Sequence, residues 1–457
     1  MLISRKREGI ISFLIFLTAF APRFAAWIYP RFGWGNLAIY DVQLYTDFGE
    51  QMVKAALGLE LRKLASINVG VPPLGTFLVG VSVYAFGGIL GKYQASFLAP
   101  IIASSFTSVI IYLSLARLER KMALMASLLF SLDPYLIQFS VVYLDAIGAL
   151  FAMIGMWMFL SSKSLSLSKS MLIGIFLGLS ILVKFYFLVF TAFLVLLLMV
   201  IKKAYKQAVV VMVFSLTFLA GIPWMWFSDS LGSAIIHNIS MNSVLPPILF
   251  GPLMIGVPES YPWYFLTYFG LGQVHWKVMP SISHFFLFLM LVYCYAQGKV
   301  DIDSRIILMS AAAILSTAFI PRNYWTYSWA MGIVKSGEVL IKQFYPYYFY
   351  FTNLMSGIIA SGLWFRSPEV EEPSSFKVLL FIVTLFAMTS PFVMIFNLGY
   401  PYWDFIFTLI LNYSQGNPLM ASHGLTALIL TTTIVASVWF FSLKIVRKIK
   451  LIMKGGS

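Results

Sequence analysis

Within ten residues, the stretch Tyr40-Asp41-Val42-Gln43-Leu44-Tyr45-Thr46-Asp47-Phe48-Gly49-Glu50 carries three carboxylates. On a helix, Asp41, Tyr45 and Phe48 share one face, so Asp41 would point inward while Asp47 faces water. A carboxylate held that way can act as a general base or bind a cation. The plainer reading is an amphipathic surface helix with solvated acids. Asp145, in Val142-Tyr143-Leu144-Asp145, has no basic neighbour in sequence. Such a carboxylate is costly beside apolar chain unless it meets protein, water or a cation. Asp133-Pro134 reads first as a helix-break carboxylate, since proline loosens the helix end it follows. Lys184 stands between two apolar runs, and Arg322 follows Pro321. Each either snorkels to a membrane interface or binds a phosphate, Lys184 as a point charge.

Histidine offers less. His237, His275, His284 and His423 form no HxxxH or HExxH spacing, so a zinc site is not read from them. There is no GxSxG, Walker A or dinucleotide glycine motif in a strand–helix context. Asn238-Ile239-Ser240 and Asn412-Tyr413-Ser414 match the glycosylation sequon, a match that is common by chance.

The surroundings of these residues are those of a membrane. Sixty per cent of the 457 residues are hydrophobic and 11% are charged, where a soluble domain carries about 25% charged residues. Apolar runs recur, each reaching the roughly 20 residues that a helix needs to cross the hydrocarbon core. The strict alternation of an outer-membrane barrel is absent. The pattern predicts an all-α polytopic membrane protein with about twelve transmembrane helices. They fall near 10–29, 93–116, 121–141, 146–161, 170–184, 186–202, 207–227, 284–298, 304–321, 344–364, 376–396 and 423–443. The basic N-terminal residues followed by an apolar stretch look like a signal peptide. That stretch continues to about Tyr29 without a small-residue cleavage site, which makes it a retained first helix. Cys294 is the sole cysteine, so no intrachain disulfide forms.

Charge then orients the helices. Seven short segments hold 20 of the 31 Lys and Arg: Ser4–Gly9, Arg117–Lys121, Ser161–Lys169, Lys202–Lys206, Gly298–Arg305, Arg366–Lys377 and Lys444–Lys454. The positive-inside rule places these segments and both termini in the cytoplasm, in a plasma-membrane protein. The net charge of +14 is then a set of topology anchors near anionic lipid rather than a nucleic-acid surface. The apolar stretch Pro72–Leu90 would invert every later loop if it crossed, so it is read as an interfacial or re-entrant helix begun by Pro72-Pro73. The outer face then receives loops at 30–92, 229–283, 322–343 and 397–422, where function is to be sought. Residues 1–228 form one module, including the first outer loop with its juxtamembrane helices. Residues 229–457 form a second.

The first module resembles the GT-C glycosyltransferases, above all the protein O-mannosyltransferase-like and aminoarabinose-transferase-like members. The likeness rests on the acid-bearing first outer loop, the Val71-Pro72-Pro73-Leu74 segment after it, and the Pro/Tyr/Asp segment at the third outer boundary. It covers about residues 1–200, with a weaker echo in Tyr261-Pro262-Trp263-Tyr264. It implies a polyprenyl-phosphate-linked sugar as donor and a protein, lipid or glycan as acceptor, with transfer on the outer face. It places the catalytic acid of the first outer loop on Asp41, that of the second on Asp145, and the lysine of a GLxxxxK segment on Lys184. Arg322, Tyr45, Tyr143 and His275 complete the substrate-binding set. No obligatory cofactor is implied. A divalent metal ion is compatible with the superfamily. However, Val42 stands where the family has the Glu of a DE pair, and Asp145 is not part of a DxD. Both departures argue against the tightly held metal of the oligosaccharyltransferase branch. The rival functions are a transporter or lipid flippase, which would place ionisable residues near mid-membrane in repeated halves, and a non-catalytic membrane scaffold.

Overall fold

A computed structural model describes residues 2–28, 39–67, 72–141, 143–162, 165–184, 186–200, 203–220 and 350–365. It also describes short pieces within 281–290 and 306–312, and residue 444. Within these residues the chain is helical, with no strand. The spans expected at 376–396 and 423–443, most of those at 284–298 and 304–321, and the outer loops at 229–280, 322–343 and 397–422 lie outside the described residues.

The chain opens on α1 (Leu2–Ile28), followed by α2 (Ile39–Leu57), α3 (Leu61–Ser66), α4 (Pro73–Leu90), α5 (Lys92–Ser96) and α6 (Leu98–Leu115). Then come α7 (Arg120–Leu132), α8 (Pro134–Val141), α9 (Asp145–Leu160), α10 (Leu167–Ile181), α11 (Tyr186–Val200), α12 (Tyr205–Ala220) and α13 (Tyr350–Phe365). Among the described residues, three stretches are long and apolar enough to cross a membrane: Glu8–Ala25, Pro73–Leu90 and Lys92–Leu115. The expected spans at 146–161 and 170–184 appear as shorter apolar helices. α1 shows how the pattern works. Ile15, Ala19 and Arg23, spaced by four, face inward, while Ile10 and Phe13 are each 61% exposed. An apolar face turned outward is what hydrocarbon solvent rewards.

The span expected at 121–141 is one element in sequence but two in space, because α7 and α8 meet at a bend of 59°. Pro134 has no N–H to give back to the helix, so the carbonyls of the last α7 turn lose their partners. Arg23 of α1 replaces them. It is fully buried, and its guanidinium donates to the Phe130 oxygen (3.1 Å), the Ser131 oxygen (3.0 Å), the Ala19 oxygen (2.9 Å) and Ser140 Oγ (2.7 Å). It also lies 5.0 Å from the Phe130 ring centroid. A cation at a helix C-terminus meets the negative end of the dipole as well. On the other side of the bend Asp133 caps α8, its Oδ1 accepting from the Tyr135 and Leu136 N–H groups at 2.9 and 3.3 Å. Its Oδ2 accepts from the Ser283 N–H (2.8 Å) and Ser281 Oγ (3.1 Å), which ties this bend to the second half of the chain.

Small residues let the helices approach closely. α2 crosses α4 where Gly49 meets Gly80. A Cβ on Gly49 would lie 2.5 Å from the Thr76 oxygen, and one on Gly80 would overlap the Gly49 backbone. In the same way a Cβ on Gly174 of α10 would lie 2.7 Å from the Val211 oxygen, and Ser215 Oγ of α12 donates to the Gly174 oxygen at 3.0 Å. Such contacts replace the hydrophobic drive that lipid abolishes between helices. Gly88, in the same helix as Gly80, has open space around it. The matched pair is therefore a test. Gly80→Ala should destabilise the purified protein by about 1–3 kcal/mol, seen as a lowered Tm in detergent, whereas Gly88→Ala should leave Tm level or slightly raised. Equal Tm values for the two variants would refute the crossing.

Candidate functional site

Two of the three clustered acids are occupied at the surface. On α2, Glu50 Oε1 pairs with Lys54 Nζ at 2.6 Å, and Lys92 Nζ of α5 reaches both Asp47 Oδ1 and Glu50 Oε2 at 2.7 Å. The Asp47 side chain is 44% exposed, in keeping with its expected solvent-facing position. Hydrogen bonding, first from Lys54 and then from Lys92, holds the Glu50 carboxyl below the ordinary glutamate range. Asp41 stands apart from them as the third residue of α2. Its side chain lies outside the described residues, and Arg322 and His275 lie outside them altogether. Tyr45, four residues after Asp41, is 4% exposed and faces the protein with Val42, Thr46 and Gly49.

Four segments distant in sequence meet beside that face. Pro73 takes the first position of α4 after Pro72, where a missing N–H costs nothing. The next N–H, of Leu74, donates to the Leu182 oxygen at the end of α10, at 3.0 Å. A Cβ on Gly75 would meet Val183 at 2.9 Å and Leu144 at 3.0 Å, so the start of α4 packs on both the α10–α11 turn and the residue before Asp145. Tyr45, Leu144 and Val183 belong to one buried cluster. Lys184, next to Val183, is 6% exposed, and its Nζ lies 6.0 Å from the Tyr45 ring centroid, at the edge of cation–π range. A merely snorkelling lysine would expose its head, so burial weighs against that reading.

Asp145 is fully buried as the first residue of α9, where the helix dipole favours a carboxylate. Tyr143 is 3% exposed, its ring 5.7 Å from that of Phe139. The fold thus brings Tyr45, Leu144 and Val183 together beside the start of α4, with Asp145 and Lys184 next in sequence to two of them. Among the described residues no three His, Cys, Asp or Glu side chains group as a metal site would.

Sequence reasoning missed Arg23. It is the buried cation nearest the helix break, and the hydroxyl of Tyr350 in α13 borders it and Ser140 without a hydrogen bond of good geometry. That hydroxyl is also within electrostatic reach of Asp145. The signal was present, since a lone arginine after Pro22 inside an apolar run demands an internal partner.

Residues 46–235, less than half of the chain, match the family of dolichyl-phosphate-mannose-protein mannosyltransferases, and the protein O-mannosyltransferase-like resemblance read from the sequence holds there. Asp145 and Lys184 lie within the matched stretch, and Asp41 lies just before it. Among solved structures, the chain is similar to the Archaeoglobus fulgidus oligosaccharyltransferase. In the complex with Zn and sulfate, identity is 15% over 74% of this chain and 44% of that one, with a TM-score of 0.32. In the complex with an inhibitory peptide and a dolichol-phosphate, identity is 14% over 74% and 48%, with a TM-score of 0.33. The chain therefore spans less than half the length of these relatives, and a likeness this slight carries no contact across. No curated protein sequence matches the chain.

The ion pairs on α2 give this region a testable pH dependence. The Glu50 carboxyl titrates lower in the folded protein than in the unfolded chain. Its contribution is therefore complete above the ordinary glutamate pKa and lost as pH falls through the folded value. Glu50→Gln should lower stability at neutral pH by at most ~1 kcal/mol. The deficit should begin to shrink as pH falls below the ordinary glutamate pKa of about 4.3 and disappear once pH is below the folded value, in Tm measured against pH. A deficit that persists unchanged in acid would show that Glu50 acts through packing instead.

Proposed function

We propose that this chain transfers a sugar from a polyprenyl-phosphate donor to an acceptor hydroxyl or amine, on the outer membrane face, with Asp41 as the base. The observation that carries the reading is the convergence just described. The start of α4, the residues around Asp145, Lys184 and the first turns of α2 meet at one place, and the mannosyltransferase-like domain spans most of them. Proteins, lipids and glycans are all acceptors of suitable chemistry. A protein acceptor agrees best with the matched family, whose name specifies protein mannosylation.

The chemistry asks little beyond placement. The acceptor oxygen or nitrogen bonds to the anomeric carbon, its proton passes to the Asp41 carboxylate, and the bond from that carbon to the phosphate oxygen breaks. The lipid phosphate leaves with the electron pair. Lys184 neutralises the charge that grows on the leaving phosphate, an effect strengthened where water is excluded. Arg322 serves as a second cation for the same group. Tyr45 sets the floor under the Lys184 ammonium, and Asp145 balances the cations and orients the acceptor with Tyr143. His275 adds an outer-loop contact to substrate. A polyprenyl phosphate is already a good leaving group, so proximity supplies much of the remaining rate.

Asp41→Asn keeps size and shape while removing the basic carboxylate, so transfer should fall by about 10²-fold or more with Tm unchanged. Asp47→Asn is the control, because that carboxylate lies on the exposed rim. Purified variants assayed with a polyprenyl-phosphate sugar decide the matter. Full activity in Asp41→Asn sinks the base assignment, and equal losses in both variants assign the effect to loop structure. In the same assay Lys184→Ala should weaken donor binding more than acceptor binding, and unaltered donor affinity would reduce Lys184 to an anchor.

A further inference from the structure

Away from this site, α7 carries a groove on its outward face. Its volume is about 500 Å³, and its wall is the helical stripe Lys121, Leu124, Leu128 and Leu132, with Ile282 and Phe365 opposite. The lining is carbon almost throughout, and several of its side chains are turned outward, Leu124 by 42% and Leu132 by 51%. From Lys121 to Leu132 the helix rises about 16 Å, close to the reach of one extended acyl chain. The two ends of the groove differ in charge. One ends on Lys121, whose side chain is exposed and whose ammonium has no ion pair among the described residues. Arg117 and Arg120 stand in the same turn of sequence, Arg120 held 3.2 Å from Glu8. The other end is closed by Asp133, whose carboxylate is committed to the α8 N-terminus and to Ser281 and Ser283.

We infer that this groove is a binding site for an anionic glycerophospholipid, with its phosphate at Lys121 and one acyl chain lying along α7 towards Asp133. The charge asymmetry fixes the orientation. An anionic headgroup at the other end would meet the Asp133 carboxylate, whereas at Lys121 it meets an ammonium and a basic rim. A groove in hydrocarbon gains nothing from burying apolar surface alone, so the discrimination must come from the headgroup. The headgroup end of this site is the Lys121 end of the bundle, and it makes no use of Lys184. An occupant would brace α7 just before the bend that Arg23 and Asp133 hold.

Native mass spectrometry of the full chain in mild detergent tests this, with phosphatidylglycerol and phosphatidylcholine of identical acyl chains as probes. The protein should retain phosphatidylglycerol about fivefold more readily than phosphatidylcholine, the preference that one lysine near a headgroup provides. Lys121→Glu should abolish the preference, and Leu128→Trp, which fills the groove, should reduce retention of both lipids. Lys206→Glu, at an exposed cation in the first turn of α12, should change neither. Equal retention of the two lipids by the unaltered protein, or an unchanged preference in Lys121→Glu, overturns the inference. Should Leu128→Trp fail to fold, a phosphatidylglycerol bearing a photoreactive group on its acyl chain should label residues 121–132 or Phe365. Labelling confined to other segments also overturns it.

Discussion

A backbone polar group has no water to turn to inside hydrocarbon, and the fold depends on how this chain meets that constraint at Asp133-Pro134. The proline breaks a helix in the middle of an apolar region and frees carbonyls on one side and N–H groups on the other. Arg23 answers the first need and Asp133 the second, each from a fully or almost fully buried position. The opposite charges never need to pair directly, because each binds the helix end whose dipole it complements. The bend redirects α8 so that Tyr143, Leu144 and Asp145 arrive beside α4 and the α10–α11 turn. Remove the guanidinium, and three buried carbonyls and a buried serine hydroxyl lose a donor together. The helix break is thus tied to an arginine of the first helix.

The second requirement is close approach. With lipid on the outside, helices gain little from hiding leucine, and association falls to van der Waals contact and hydrogen bonds between backbones that can touch. Gly49 against Gly80, and Gly174 against Val211 and Phe214, provide that contact. Serines and threonines contribute in a different way. Ser105, Thr107 and Ser127 return their hydroxyls to their own helix, so these three buried donors are met without a partner from another helix. Ser108 instead crosses to Ser131 at 2.7 Å, next to the carbonyl that Arg23 holds. Packing and polar satisfaction therefore converge on the same helix break.

The charged side chains near α2, α9 and α10 fall into two groups. Asp47 and Glu50 are spent on Lys92 and Lys54 at the exposed rim, where ion pairs add little stability but fix α2 against α5. Asp145 and Lys184 are instead withdrawn from water, and in the proposed reaction that burial would strengthen the pull of Lys184 on a leaving phosphate.

Much of this was legible in the chain. Apolar runs of spanning length, the basic segments between them, the proline-led start of α4 and the break at Asp133 all follow from local chemistry, because a proline or a charge in hydrocarbon has few places to be. The exposed position of Asp47 follows from helical spacing, and charge set in apolar chain singles out Asp145 and Lys184. What the sequence left open is which distant groups meet. Nothing local reveals that the Leu74 N–H finds the Leu182 oxygen, that Gly49 lies on Gly80, or that Lys184 sits over Tyr45. Those contacts are decided by how the helices cross. Arg23 marks the boundary between the two kinds of knowledge. The sequence determined that an arginine within an apolar helix must find partners inside the protein. Only the tertiary structure decided that the partners are the carbonyls freed by a proline more than a hundred residues away, because a hydrogen bond is satisfied by proximity in space and is indifferent to distance along the chain.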